Sequence, residues 1–120
     1  LFSVNFIKKR VGWAVGQYGI VLRTNNGGFK WEALSSGTTT NLNSIISLSE
    51  QELYAVGDRG LILYSSDAGD TWQQQHTDID NDLYTIVYSE DKNTLWIVGQ
   101  WGIILKRSLA PQLSYRKGNK

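Results

Sequence analysis

Thr24-Asn25-Asn26-Gly27-Gly28-Phe29-Lys30-Trp31 recurs farther along the chain as Ser65-Ser66-Asp67-Ala68-Gly69-Asp70-Thr71-Trp72. The two tryptophans stand 41 residues apart, and the glycine pair ahead of each unit keeps step, Gly16 and Gly19 becoming Gly57 and Gly60. A third pair, Gly99 and Gly102, follows 42 residues on. A period of about 40–50 residues, rich in strand and turn residues, is the mark of propeller blades of about four strands each.

Working outward from the second unit, the middle repeat resolves into four β segments, residues 42–48, 52–56, 61–65 and 71–75. Each is short, rich in β-branched and aromatic residues, and bounded by Gly, Asn, Asp or Ser. The third, Leu61-Ile62-Leu63-Tyr64-Ser65, is apolar on both faces, as a strand between neighbouring sheets should be. The first repeat supplies the same order at 2–8, 12–15, 20–24 and 30–34, and the third at 83–89, 94–98 and 103–107. The expected fold is an all-β propeller fragment with blades over 1–41, 42–82 and 83–108. Residues 109–120 carry neither the turn unit nor a Trp, and read either as a degenerate fourth strand or as a basic tail.

Nearly three blades do not close a ring, since propellers have about 4–8. An open stack leaves an apolar sheet face and strand edges uncovered. The remaining blades are therefore expected from the same polypeptide or from another chain. The order of the N-terminal stretch, apolar residues 1–7 before Lys8, Lys9 and Arg10, is that of a strand and the reverse of a signal peptide. The repeat arithmetic favours a chain cut from something longer.

Composition narrows the function. Hydrophobic residues make up 41% and charged residues 19%, with five Trp and one Pro, which is a globular balance. A net charge of +1 creates no field that calls for nucleic acid. The absence of Cys removes disulfides, zinc-thiolate sites and thiol nucleophiles. His76, the one histidine, has no nucleophile motif beside it and reads as a solvated loop residue. The alternating Asp78, Asp80 and Asp82 resemble the start of a calcium loop but lack its Gly and closing Glu, so a solvated turn is expected. No metal or cofactor is expected.

The repeated unit is an Asp-box, and its chemistry is internal. Asn26 and Asp67 accept hydrogen bonds from their own turns, Gly28 and Gly69 supply positive φ, and Trp31 and Trp72 fold back as apolar plugs. A metal or sugar role for Asp67 is the alternative, weakened because the first copy has Asn26 there. The Gly-x-x-Gly turns are where the repeats differ: Gln17-Tyr18, Asp58-Arg59 and Gln100-Trp101. With glycines turning the chain, these side chains are expected to project to solvent on the ring side opposite the Asp-boxes, together with the links 35–41 and 76–82. Tyr18, Arg59 and Trp101 then form an arc suited to a protein or sugar surface. The alternative is that each packs over its own hairpin. Arg23 and Lys106 share a third-strand position held by Tyr64 in the middle repeat, and snorkelling to the edge is the favoured reading over lining a groove.

The tandem strings from Gly12 to Trp31 and from Leu53 to Trp72 resemble the photosystem II stability and assembly factor group of propellers, within the wider Asp-box, or bacterial neuraminidase repeat, class. The resemblance runs over roughly residues 2–107. It implies a non-enzymatic, extracytoplasmic, seven-bladed propeller that holds a membrane-protein partner during assembly of its complex. Sialidases share the blade type and make a glycosidase the rival reading. The chain has five Arg, none in the Arg-Ile-Pro string that such enzymes carry, and turnover of a fluorogenic sialoside would decide for them. A purely structural subunit docked in a larger complex is the third reading.

Overall fold

A computed structural model describes residues 1–75, 77–89 and 93–109. His76 and the stretch 110–120, to which the strand-or-tail reading belongs, lie outside the described residues.

Three antiparallel meanders follow one another along the chain. The first sheet runs in the order β1 (Ser3–Phe6), β2 (Gly12–Val15), β3 (Val21–Thr24) and β4 (Glu32–Leu34). The second repeats it with β5 (Leu42–Ser47), β6 (Leu53–Gly57), β7 (Ile62–Ser65) and β8 (Gln73–Gln75). The third has β9 (Leu83–Tyr88), β10 (Thr94–Gly99) and β11 (Ile104–Ser108). In the two complete meanders the outer strand begins just after the Asp-box tryptophan, which stays in the turn.

Apolar residues on both faces of β6 and β7 explain why the middle sheet is the best buried. One core cluster fills the seam between the first and second sheets around Trp13, Val21, Leu42, Leu53 and Leu63. A second fills the next seam around Tyr54, Ile62, Leu83, Ile86 and Leu95. Tyr54 and Trp13 occupy one repeat position, so each seam has an aromatic ring at its centre.

Polar residues on the innermost strands pin neighbouring blades. Ser3 Oγ accepts from Ile45 N at 3.2 Å, Asn5 Oδ1 from Ser47 N at 3.0 Å, and Ser44 Oγ from Ile86 N at 3.2 Å. Asn5 Oδ1 also accepts from the Ser47 hydroxyl. Adjacent inner strands do not pair as a ladder, so their buried N–H groups need other acceptors, and the short side chains supply them. Their signal in the sequence is a polar residue recurring inside an inner strand, Ser3, Ser44 and Thr85 at 41-residue intervals.

Arg23 does not snorkel. Its guanidinium meets Glu32 at 2.8 Å on its own blade and reaches across the seam to Asp70 at 2.9 Å and to the carbonyl of Ala68 at 3.1 Å. The Asp-box of the second blade, lying against the seam, offers a carbonyl and a carboxylate within reach, and three acceptors outweigh exposure to water. Lys106 instead lies over the Trp96 ring, 5.4 Å from its centroid.

Candidate functional site

At the Asp-box end, the acceptors are internal to the turn. Asn26 Oδ1 accepts from Lys30 N at 2.8 Å, and Asp67 Oδ1 from Thr71 N at 2.8 Å. The Thr24 and Ser65 hydroxyls each accept the N–H four residues on, from Gly28 and Gly69, at 2.9 Å. Gly69, at φ 94°, sits where a side chain would press on Leu34 and on the Trp13 indole, so glycine answers both a backbone and a packing demand. Trp72 packs against the first core cluster. Trp31 departs from the plug expected of it: it stays 37% exposed and meets Phe6 edge-on at 6.1 Å, because it faces away from the second blade.

The Thr71 hydroxyl and N–H, and then the Ser65 hydroxyl, hold the Asp67 carboxyl down to about 2. A folded-state value below the ordinary carboxylate value of about 4 adds stability above that pH, and the contribution is lost as pH falls from about 4 through about 2. The urea midpoint is therefore expected to fall with acid over that window, and to fall less steeply in Asp67→Asn. Equal slopes for the two proteins would contradict the assignment. Asn26 carries no such dependence, being uncharged.

At the opposite end, the three Gly-x-x-Gly turns depart from the expected geometry. The first glycine of each is extended, and the left-handed conformation falls on two residues in a row: Tyr18 at φ 60°, Arg59 at 60° and Trp101 at 63°, and then the second glycine, Gly19 at 75°, Gly60 at 74° and Gly102 at 75°. The glycines therefore do not do all the turning. Gly57 is required by proximity, since a Cβ there would overlap the carbonyl oxygen of Asn41 on the link into the second blade. That carbonyl is held in place by the N–H of Asp58 at 3.1 Å.

The links hook the first two turns. Tyr18 N donates to Asn41 Oδ1 at 2.9 Å, and Arg59 N donates to Asp82 Oδ1 at 3.0 Å, one blade along. Asp82 thus caps a neighbouring turn, and among the described residues no group of three potential metal ligands occurs. The other central residues are partly consumed by the same job. Asp58 accepts from Asn41 Nδ2 at 3.1 Å and Asn43 Nδ2 at 2.9 Å, while Gln100 Oε1 accepts from Asp82 N at 3.1 Å. They are not free projections, because an amide or carboxylate next to a turn with open backbone groups is drawn to them. Gln17 remains exposed.

What the hooks leave outside are the larger side chains. Tyr18 is 72% exposed, Trp101 86%, and Arg59 is exposed as well. Tyr18 and Arg59 border one open notch of about 290 Å³, floored by Thr39, Thr40 and Asn41 and flanked by Asp58. Trp101 sits on the corresponding turn of the third sheet and does not line that notch. The geometry sets an aromatic wall and a guanidinium on two hooked turns, with an indole protruding from the third.

Repeated four-stranded meanders, packed face to face through aromatic seams and closed by Asp-box turns, define a β-propeller of the Asp-box type. The chain belongs to the family of the photosynthesis system II assembly factor YCF48, whose family model matches residues 1–78 and, overlapping them, 35–108. Among solved structures, a YCF48 bound to D1 peptide is similar at 23% identity and a TM-score of 0.73, over 88% of this chain and 35% of that one. YCF48 from Cyanidioschyzon merolae is similar at 24% identity and a TM-score of 0.71, over 91% of this chain and 37% of that one. The chain thus spans little more than a third of the length of these structures. No curated protein matches it.

Proposed function

We propose that this chain is the protein-docking part of a non-enzymatic, extracytoplasmic assembly factor for photosystem II, and that its Gly-x-x-Gly side receives the partner. The observation that carries the reading is the trio of left-handed turn residues. Left-handed backbone costs a residue with a side chain about 1–2 kcal/mol, and glycine would avoid it. Three successive turns place Tyr, Arg and Trp there instead, with their side chains exposed. Ala68 in the second Asp-box turn takes the same conformation with a small side chain, whereas these three turns carry large exposed side chains at one place in each blade, which makes them available to a partner. The D1 peptide held by a similar propeller supplies the candidate partner: a segment of a photosystem protein.

Titration of labelled D1 peptide with the complete protein, followed by fluorescence anisotropy of the label, tests the reading. Trp101→Ala and Arg59→Ala are each expected to weaken binding by about tenfold or more, the scale of an interface anchor. Trp101→Gly and Tyr18→Gly are expected to raise the unfolding midpoint while weakening binding, because each relieves backbone strain and deletes a contact. Full affinity in a Trp101→Ala, Arg59→Ala double variant would reject this face.

A further inference from the structure

On the Asp-box side of the first blade, two loops bring four cations together. The β1–β2 hairpin carries Lys8, Lys9 and Arg10 at its tip, and the Arg10 carbonyl accepts from Gly27 N at 3.0 Å. That bond welds the hairpin to the first Asp-box turn, which adds Phe29 and Lys30. Lys8 is engaged by Glu50 at 2.9 Å, while Lys9, Arg10 and Lys30 form no ion pair among the described residues. Phe29 is 91% exposed, the most exposed of the large apolar side chains among the described residues.

Nothing in the blade architecture requires these residues. The second blade has Ser49, Glu50 and Gln51 at the hairpin positions of Lys8, Lys9 and Arg10, and Asp70 and Thr71 at those of Phe29 and Lys30. There Asp70 serves the scaffold by binding Arg23 across the seam. In the first blade the same turn position holds a phenyl ring left in water.

We infer that this corner of the first blade is a second docking surface, for an acidic polypeptide segment with an apolar residue beside its acids. Charge complementarity supplies the long-range attraction and Phe29 the desolvated contact. The neighbouring blade selects the kind of partner. Its Asp-box loops, 49–52 and 66–72, hold no Lys or Arg, its Glu50 and Asp70 are spent on Lys8 and Arg23, and Asp67 remains as a carboxylate, so an anionic bilayer lying across both tips gains attraction at the first alone and meets Asp67 at the second. A narrow acidic segment crossing only the first blade meets no such penalty. The surface is at the opposite end of the strands from the Gly-x-x-Gly turns and does not depend on the function proposed for them.

Fluorescence anisotropy with a labelled synthetic peptide of alternating Glu and Leu provides the test, with an alternating Lys and Leu peptide as control. The complete protein is expected to bind the acidic peptide and not the basic one, with affinity falling as salt is raised. Phe29→Ser is expected to weaken binding about tenfold, and Lys9→Gln, Arg10→Gln, Lys30→Gln combined by more than that. All these positions are exposed, so unchanged unfolding midpoints are expected and separate lost binding from lost fold. Equal affinity in the triple variant would overturn the inference. So would capture by vesicles of phosphatidylcholine and phosphatidylglycerol with no binding of the acidic peptide, which would make the surface a membrane contact.

Discussion

Trp13→Ala is expected to cost the fold about 3–5 kcal/mol, among the largest effects of any single truncation in the chain. Trp13 is fully buried at the centre of the seam between the first two blades, and its indole Nε1 donates to the Ala68 carbonyl at 2.9 Å. Truncation removes the ring that both sheets pack against and leaves a cavity where the Asp-box of the second blade rests. The carbonyl is not orphaned outright, since Arg23 still reaches it at 3.1 Å. Trp13→Phe, which keeps an aromatic ring and loses the donor, is therefore expected to cost roughly half as much. Trp31→Ala supplies the contrast: its ring meets Phe6 at the uncovered face, and about 1 kcal/mol is expected. Urea unfolding followed by circular dichroism measures all three without relying on the tryptophan being removed. A Trp13→Ala cost no larger than that of Trp31→Ala would contradict the seam as the stabilising element.

Gly57→Ala is expected to cost about 3 kcal/mol, at the upper end for forcing a methyl into a packed site. The obstacle is backbone, the Asn41 carbonyl, and that oxygen is committed to Asp58 N. Neither partner has a rotamer to change, so the link into the second blade must shift, and with it the bond from Leu42 N to Gly16 O at 3.0 Å. Gly37→Ala tests the cause. Gly37 has a positive φ of 80° but nothing within 4 Å of where the added methyl would stand, so only the conformational cost of about 1–2 kcal/mol is expected. Comparable losses at the two positions in urea unfolding would show that close approach is not what Gly57 provides.

The blade repeat was legible because it is written in residue types that answer strong physical demands. Gly28 and Gly69 are forced by positive φ, Trp31 and Trp72 mark the same turn exit, and the apolar run 61–63 has to lie between sheets. The candidate face was legible only in outline. The sequence singles out the residues between the glycines as variable, and the structure leaves Tyr18, Arg59 and Trp101 exposed at that end.

Which of those residues are free was not legible. Asp58 and Gln100 are bound to link and strand residues 15–18 positions away along the chain, and nothing in their types says so. The same holds for Arg23, whose partner Asp70 is 47 residues distant. Residue type alone points to the glycines for left-handed φ because glycine tolerates it best, and the second glycine of each turn does adopt it, whereas Gly57 and Gly99, first in their turns, are there to let a neighbouring carbonyl approach. Asn41 and Asp82 stand 41 residues apart and do the same capping job, a signal present in the sequence but disguised by the acids beside Asp82.

Site-specific photo-crosslinking to D1 peptide tests the central claim most directly. A crosslinking residue placed at position 18, 59 or 101 of the complete protein, and at Asp-box positions 29 and 70 for comparison, reports which end of the strands the peptide touches. Peptide adducts are expected from positions 59 and 101, competed by unlabelled peptide, and none from 29 or 70. Adducts confined to 29 or 70 would contradict it and move the partner to the side of the propeller assigned here to scaffold and to acidic segments.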